Sequence, residues 1–123
     1  MVNNKIALVI DDIEFNRISV TTYLTICGFE VDSVENGLEG LKAISQKKYN
    51  LIFSDIDMPY MNGLEFLKKI KRSKDYRDIP VIMLSTKDDE DTMNLAKVLG
   101  AITYITKPYN REKMKLALSL AGF

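Results

Sequence analysis

The chain contains no histidine. That absence removes His-based general acid–base catalysis and His-ligated metals from what these residues alone can do. A single cysteine, Cys27, rules out an internal disulfide and suits a reducing compartment. Neither sign of charge is in excess: Lys plus Arg and Asp plus Glu number 17 each. Bulk nucleic-acid binding needs a strong positive excess, so no nucleic-acid partner is expected. Long apolar runs are missing too. The first run, after Met1-Val2-Asn3-Asn4-Lys5, is cut off by Asp11 and Asp12. It is too short for a signal peptide or a membrane span, which predicts a cytoplasmic chain with no membrane partner. There is no repeat, low-complexity segment or linker, and 123 residues suit one domain, 1–123. A domain of that length buries a core without a disulfide or structural metal.

What the sequence has is alternation. Five short runs rich in Val and Ile, Ile6 to Ile10, Glu30 to Val34, Leu51 to Ser54, Val81 to Leu84 and Ile102 to Ile105, predict strands. Three of them are nearly continuous, as strands covered on both faces require. Between them lie helical patterns. The first runs from about Phe15 to Cys27, with Asn16, Val20, Leu24 and Cys27 on one stripe and Gly28 ending it. The second follows Asn36-Gly37, with Leu41 and Ile44 inward; the third runs from about Leu64 to Arg72 around Phe66, Leu67 and Ile70. The fourth lies between about Asp89 and Leu99, closed by Gly100, and the fifth follows Pro108, with Met114, Leu118 and Ala121 inward. Strict alternation predicts an α/β fold: a five-stranded parallel sheet with helices on both faces. The acids Asp88 to Asp91 read as a helix start, and the basic stretch Lys68 to Arg72 as a solvated face interrupted by Ile70.

Ligands of open parallel sheets bind at the carboxyl ends of the strands. There the sequence puts Asp11 and Asp12, then Asp55, then Ser85 and Thr86, then Lys107. Any one of these alone reads as a cap or a strand end; their joint occurrence points to a site. Carboxylates held together repel one another unless a cation joins them, and an all-oxygen set suits Mg²⁺ rather than zinc or copper. Phosphoryl transfer asks mainly for positioning and charge neutralisation, which Lys107 and the Ser85 hydroxyl can supply. An Asp carboxylate can serve as the nucleophile.

These pieces make the sequence resemble the response-regulator receiver family over essentially its whole length. The matching motifs are Asp11-Asp12, Asp55-Ile56-Asp57-Met58-Pro59 with Gly63, Ser85-Thr86, and Lys107-Pro108. The resemblance implies a flavodoxin-like three-layer fold with strand order 2-1-3-4-5, an order the general rule for such sheets already illustrates with a member of this family. It implies a phosphoacceptor switch of a two-component system or phosphorelay. Asp55 matches the phosphoacceptor, Asp12 a direct Mg²⁺ ligand, and Asp11 a ligand acting largely through water. Asp57 matches the position whose backbone carbonyl binds the metal. Ser85 and Lys107 match the groups that hold the phosphoryl oxygens, and Tyr104 the aromatic switch residue. Asp57 and Lys87 fall where members tune the lifetime of the phosphoryl group, and Thr86 is larger than the glycine or alanine often found there. The phosphodonor is expected to be a sensor histidine kinase or a histidine phosphotransfer protein, because this chain carries no histidine of its own.

Two other functions share some of these residues. A phosphohydrolase of the haloacid dehalogenase type also uses an Asp-x-Asp pair, but after its first strand, whereas Asp55-Ile56-Asp57 follows the third. A pseudo-receiver interaction module is expected to lose Asp55, Lys107 or the acidic pair. Met1 just before the first strand suits a free-standing domain, and Gly122-Phe123 suits a boundary equally. The donor is expected near Ile13, Phe15, Ile18 and Pro108-Tyr109, unless Phe15 and Ile18 only complete the core. Phosphorylation is expected to draw Ser85 inward and turn Tyr104 from an exposed to a buried rotamer. That would change the surface of the fourth helix, last strand and last helix for a downstream protein target.

Overall fold

The computed structural model describes residues 5–123. Residues 1–4, which belong to the expected 1–123 domain and include the Met1 start, lie outside the described residues. The elements are β1 (Ile6–Ile10), α1 (Glu14–Ile26), β2 (Glu30–Val34), α2 (Gly37–Gln46), β3 (Leu51–Ser54), α3 (Gly63–Arg72), β4 (Val81–Ser85), α4 (Glu90–Val98), β5 (Thr103–Thr106) and α5 (Arg111–Leu120). All four strand pairings are parallel, and the sheet order is β2-β1-β3-β4-β5. This is the flavodoxin-like order that the resemblance implied.

The period of two along each strand divides the core into two layers. Ala7, Val9, Leu51, Phe53, Ile82, Leu84 and Ile105 pack with Val20 and Leu24 of α1 and Met114, Ala117 and Leu118 of α5. Their neighbours Leu8, Ile10, Ile52, Val81, Met83 and Tyr104 pack with Ile44 of α2, Phe66 and Ile70 of α3 and Ala96 of α4. Continuous apolar runs in β1, β3 and β4 are therefore two alternating sets, each facing its own helices. Phe53 and Phe66 are fully buried, one in each layer, and truncating either to alanine should cost about 3–5 kcal/mol.

Helix ends follow the local chemistry. Asn36, Asn62, Asp89 and Asn110 each accept a backbone N–H three residues on, and Asn62 with Glu65 forms a reciprocal capping box. Gly28 and Gly100 hold positive φ just past α1 and α4, and the residue after each donates back into the last turn, Phe29 to Leu24 and Ala101 to Ala96. Several boundaries shift by a residue from expectation. Cys27 is the cap of α1 rather than its last helical residue. β5 starts one residue late, because Ile102 only donates to Val81 O before the ladder opens at Ile82–Thr103. Ser85 is the last residue of β4, paired with Thr106, rather than the residue after it. Among the described residues no helix is long and apolar enough to cross a membrane.

Candidate functional site

Strand register alone brings the site together. Ile10 of β1 pairs with Ser54 of β3, so Asp11 and Asp55 leave adjacent strands side by side. Their backbones are held there: Asp55 N–H donates to Ile10 O at 2.9 Å and Asp11 N–H to Val34 O at 3.2 Å. On the other side, Ser85 pairs with Thr106, and Lys107 N–H donates to Ser85 O at 2.8 Å. Gly63, the first residue of α3, lets the β3–α3 loop fold onto Asp55. A Cβ there would lie 2.0 Å from the Asp55 carbonyl oxygen, so no side chain fits.

Asp11, Asp12 and Asp55 present carboxylate oxygens that all lie within 4.8 Å of one another. Asp11 and Asp55 are buried, while Asp12 is exposed at the mouth. The Lys107 ammonium donates to Asp11 Oδ2 at 2.8 Å and pairs with Asp55 Oδ2 at 3.5 Å. Asp11 Oδ1 accepts Ile13 N–H at 3.0 Å, and Asp55 Oδ1 accepts Ile56 N–H at 2.7 Å. Burial pushes the Asp55 carboxyl above the usual carboxylate range; Lys107 pulls it down, Asp11 pushes it up again, and the Ile56 N–H and Ser85 hydroxyl lower it. The donor set is all oxygen and strongly anionic, which fits a small hard divalent cation. Asp11, Asp12 and Asp55 are the residues that could hold it.

Behind the acids, Lys87 links three elements. Its N–H donates to the buried Ser85 Oγ at 3.3 Å, its carbonyl accepts the Tyr104 hydroxyl at 2.8 Å, and its ammonium lies 3.8 Å from Asp57. Asp57, Thr86 and Lys87 are exposed around the mouth. Tyr104 itself is inward and buried. The exposed rotamer expected from sequence is not the one observed, because the hydroxyl finds the Lys87 carbonyl and its ring fills the layer beneath α4. Burial raises the Tyr104 hydroxyl pKa above its ordinary value.

Ile13, Phe15 and Ile18 are 52%, 72% and 58% exposed, so Phe15 and Ile18 do not complete the core. Phe15 also lines a groove of about 460 Å³ with Asn16, Ser19, Thr86, Lys107, Pro108 and Tyr109, beside the acids. Two contacts here were missed in the sequence, where only a three-dimensional register reveals them. The Tyr109 and Ser19 hydroxyls share a 2.5 Å hydrogen bond, and Arg17 Nη1 donates to Asp11 O at 2.8 Å.

Comparison with known proteins agrees with this geometry. A family model described as the response regulator receiver domain matches residues 7–119. The chain is 31% identical over 112 residues to a probable chemotaxis protein CheY of Rhizobium etli, covering 90% of this chain and 87% of that one. It is 35% identical to the transcriptional regulatory protein CpxR homolog of Haemophilus influenzae, covering 90% of this chain but only 47% of that one. The chain thus spans about half the length of some curated relatives it matches, and most of others. The solved structure of chemotaxis response regulator CheY4 of Vibrio cholerae superposes with a TM-score of 0.88 at 29% identity, over 97% of this chain and 99% of that one.

Proposed function

The chain belongs to the response regulator receiver domain family, and from that premise we propose that Asp55 accepts a phosphoryl group from a phosphohistidine and so switches the surface near Tyr104. The observation that carries this reading is the Asp11, Asp12, Asp55 cluster with Lys107 lodged between two of its members. Asp55 is the nucleophile: its Oδ2 is the oxygen facing Lys107, while Oδ1 is held by the Ile56 N–H. Lys107 and Ser85 take incoming phosphoryl oxygens, the first as a charge and the second as a hydroxyl donor. Asp11, Asp12, Asp55 and the backbone carbonyl of Asp57 would hold Mg²⁺, which would supply neutralisation of carboxylate and phosphoryl charge. Asp57, Thr86 and Lys87 form the rim that governs how water reaches the acyl phosphate.

A sensor histidine kinase or histidine phosphotransfer protein supplies the phosphoryl group. Ile13, Phe15, Ile18 and the Pro108-Tyr109 loop give it an apolar footing beside the acids. The output runs through Ser85, Lys87 and Tyr104 to the surface of α4, β5 and α5. A phosphoryl oxygen that accepts the Ser85 O–H draws Oγ toward the acids and away from the Lys87 N–H that it now accepts from, which loosens or moves the Lys87 carbonyl that holds the Tyr104 hydroxyl. The chain acts as a cytoplasmic signalling switch rather than as an enzyme with a turnover substrate. Incubation with a labelled phosphohistidine donor should move the label to this chain as a hydroxylamine-sensitive acyl phosphate. A hydroxylamine-resistant label, or steady hydrolysis of small phosphate esters, would overturn the reading.

A further inference from the structure

The start of α1 is poorly made as a helix. Its N-cap, Ile13, offers no side-chain acceptor. One turn in stands a cation, Arg17, at the end of the helix where the macrodipole disfavours positive charge. Helical side chains lean back toward the N-terminus, so Arg17 reaches over that first turn to the end of β1. There its Nη1 donates to the carbonyl oxygen of Asp11 at 2.8 Å. That oxygen belongs to the peptide joining Asp11 to Asp12. Because the peptide is planar, holding its oxygen fixes the direction in which Asp12 leaves the strand. Asp11 N–H is tied to Val34 O on the other side, so the two acids hang from a backbone gripped at both ends.

We propose that Arg17 is a positioning residue of the acidic site, clamping the Asp11–Asp12 peptide so that the Asp12 carboxylate is aimed at the cation. The proposal rests on the reading of Asp11, Asp12 and Asp55 as a divalent-cation site. Outer groups that orient metal ligands typically contribute about 10–100-fold to affinity, and Arg17 acts on the backbone of a ligand rather than on its carboxylate.

The test is calorimetric titration of the intact chain with Mg²⁺ alone, for the wild type, Arg17→Met and Arg17→Lys, at low and high salt. Arg17→Met keeps the apolar stem and removes donor and charge; Arg17→Lys keeps one donor and the charge. Expected are an affinity about tenfold lower in Arg17→Met, recovery to within about threefold in Arg17→Lys, and a gap that persists in high salt. Acetyl phosphate reaction should shift in the Mg²⁺ concentration it needs and recover its full rate at saturation. The Asp12 amide resonance should move in Mg²⁺-free Arg17→Met while the core spectrum stays. Equal Mg²⁺ affinity in Arg17→Met and wild type overturns the proposal, as does a gap that high salt abolishes or an Arg17→Lys as weak as Arg17→Met. Absence of Mg²⁺ binding in the wild type overturns the cation-site reading itself.

Discussion

Asp55→Asn should stabilise the protein while removing the proposed acceptor. At an effective dielectric of about 20, Lys107 at 3.5 Å attracts the Asp55 carboxylate by about 5 kcal/mol. An Asp11 oxygen within 4.8 Å repels it by about 3.5 kcal/mol or more, and Lys107 lies closer still to Asp11. The charges nearly cancel, so burial of the carboxylate is left largely uncompensated, and its pKa in the folded chain lies above the ordinary 3.8. Each unit of such a rise is about 1.4 kcal/mol of stability lost to the ionised form. Discounted for water at the open mouth, the asparagine should gain about 1–2 kcal/mol at neutral pH, or about 3–6 °C in Tm. The amide keeps an oxygen for the Ile56 N–H. The sign with pH follows from the raised value. The cost is fully present above the folded pKa, fades as pH falls through it, and is gone below 3.8, where wild-type Asp55 is protonated in both states. Paired thermal melts without divalent cations from neutral pH to about pH 4 measure the gap. Saturating Mg²⁺ should narrow it by stabilising the wild type alone. An asparagine variant that melts at or below the wild type at neutral pH, or a gap that does not change with pH, would refute the reasoning.

Gly63→Ala should cost at least ~3 kcal/mol, because the new Cβ meets the Asp55 carbonyl at 2.0 Å; chemical denaturation checks this, and acceptor function should fall with it. Tyr49→Phe removes the 2.7 Å hydrogen bond that is the main reason Asp32 titrates below its ordinary value. It should cost about 1 kcal/mol at neutral pH, and that deficit should shrink as pH drops through 3.8 and below, where Asp32 is protonated; urea titrations at both pH values decide it. Alanine at Ile13 and Ile18 should slow transfer from a phosphohistidine protein well beyond any effect on acetyl phosphate, as stopped-flow comparison of the two donors would reveal, and equal slowing would point to a folding defect.

The fold was legible because its signals are local and mutually consistent. Val/Ile runs, glycines at Gly28 and Gly100, and the Asn36 and Asp89 starts each speak for their own element. The strand-end rule then brought Asp11, Asp12, Asp55, Ser85 and Lys107 to one edge. What stayed hidden depends on which side-chain atoms meet. Lys107 pairs with Asp11 more closely than with Asp55, a choice no spacing encodes. Lys71 reads as part of a solvated basic face, yet its half-buried ammonium donates to the carbonyls of Arg77 and Ile79, and burial lowers its pKa. Tyr104 was expected exposed before phosphorylation, as the resemblance to a switch residue implied; its hydroxyl instead finds the Lys87 carbonyl. The Arg17 contact stayed hidden for the same reason, since its partner is a backbone oxygen six residues back.

The central claim is that this acidic cluster makes Asp55 the acceptor. Incubating the chain with acetyl phosphate and Mg²⁺, then measuring intact mass and mapping the adduct, tests it most directly. The account predicts one phosphoryl group, on Asp55, absent from Asp55→Asn and lost when a chelator removes the cation. An adduct on another residue, equal labelling of Asp55→Asn, or undiminished labelling in excess chelator would contradict it.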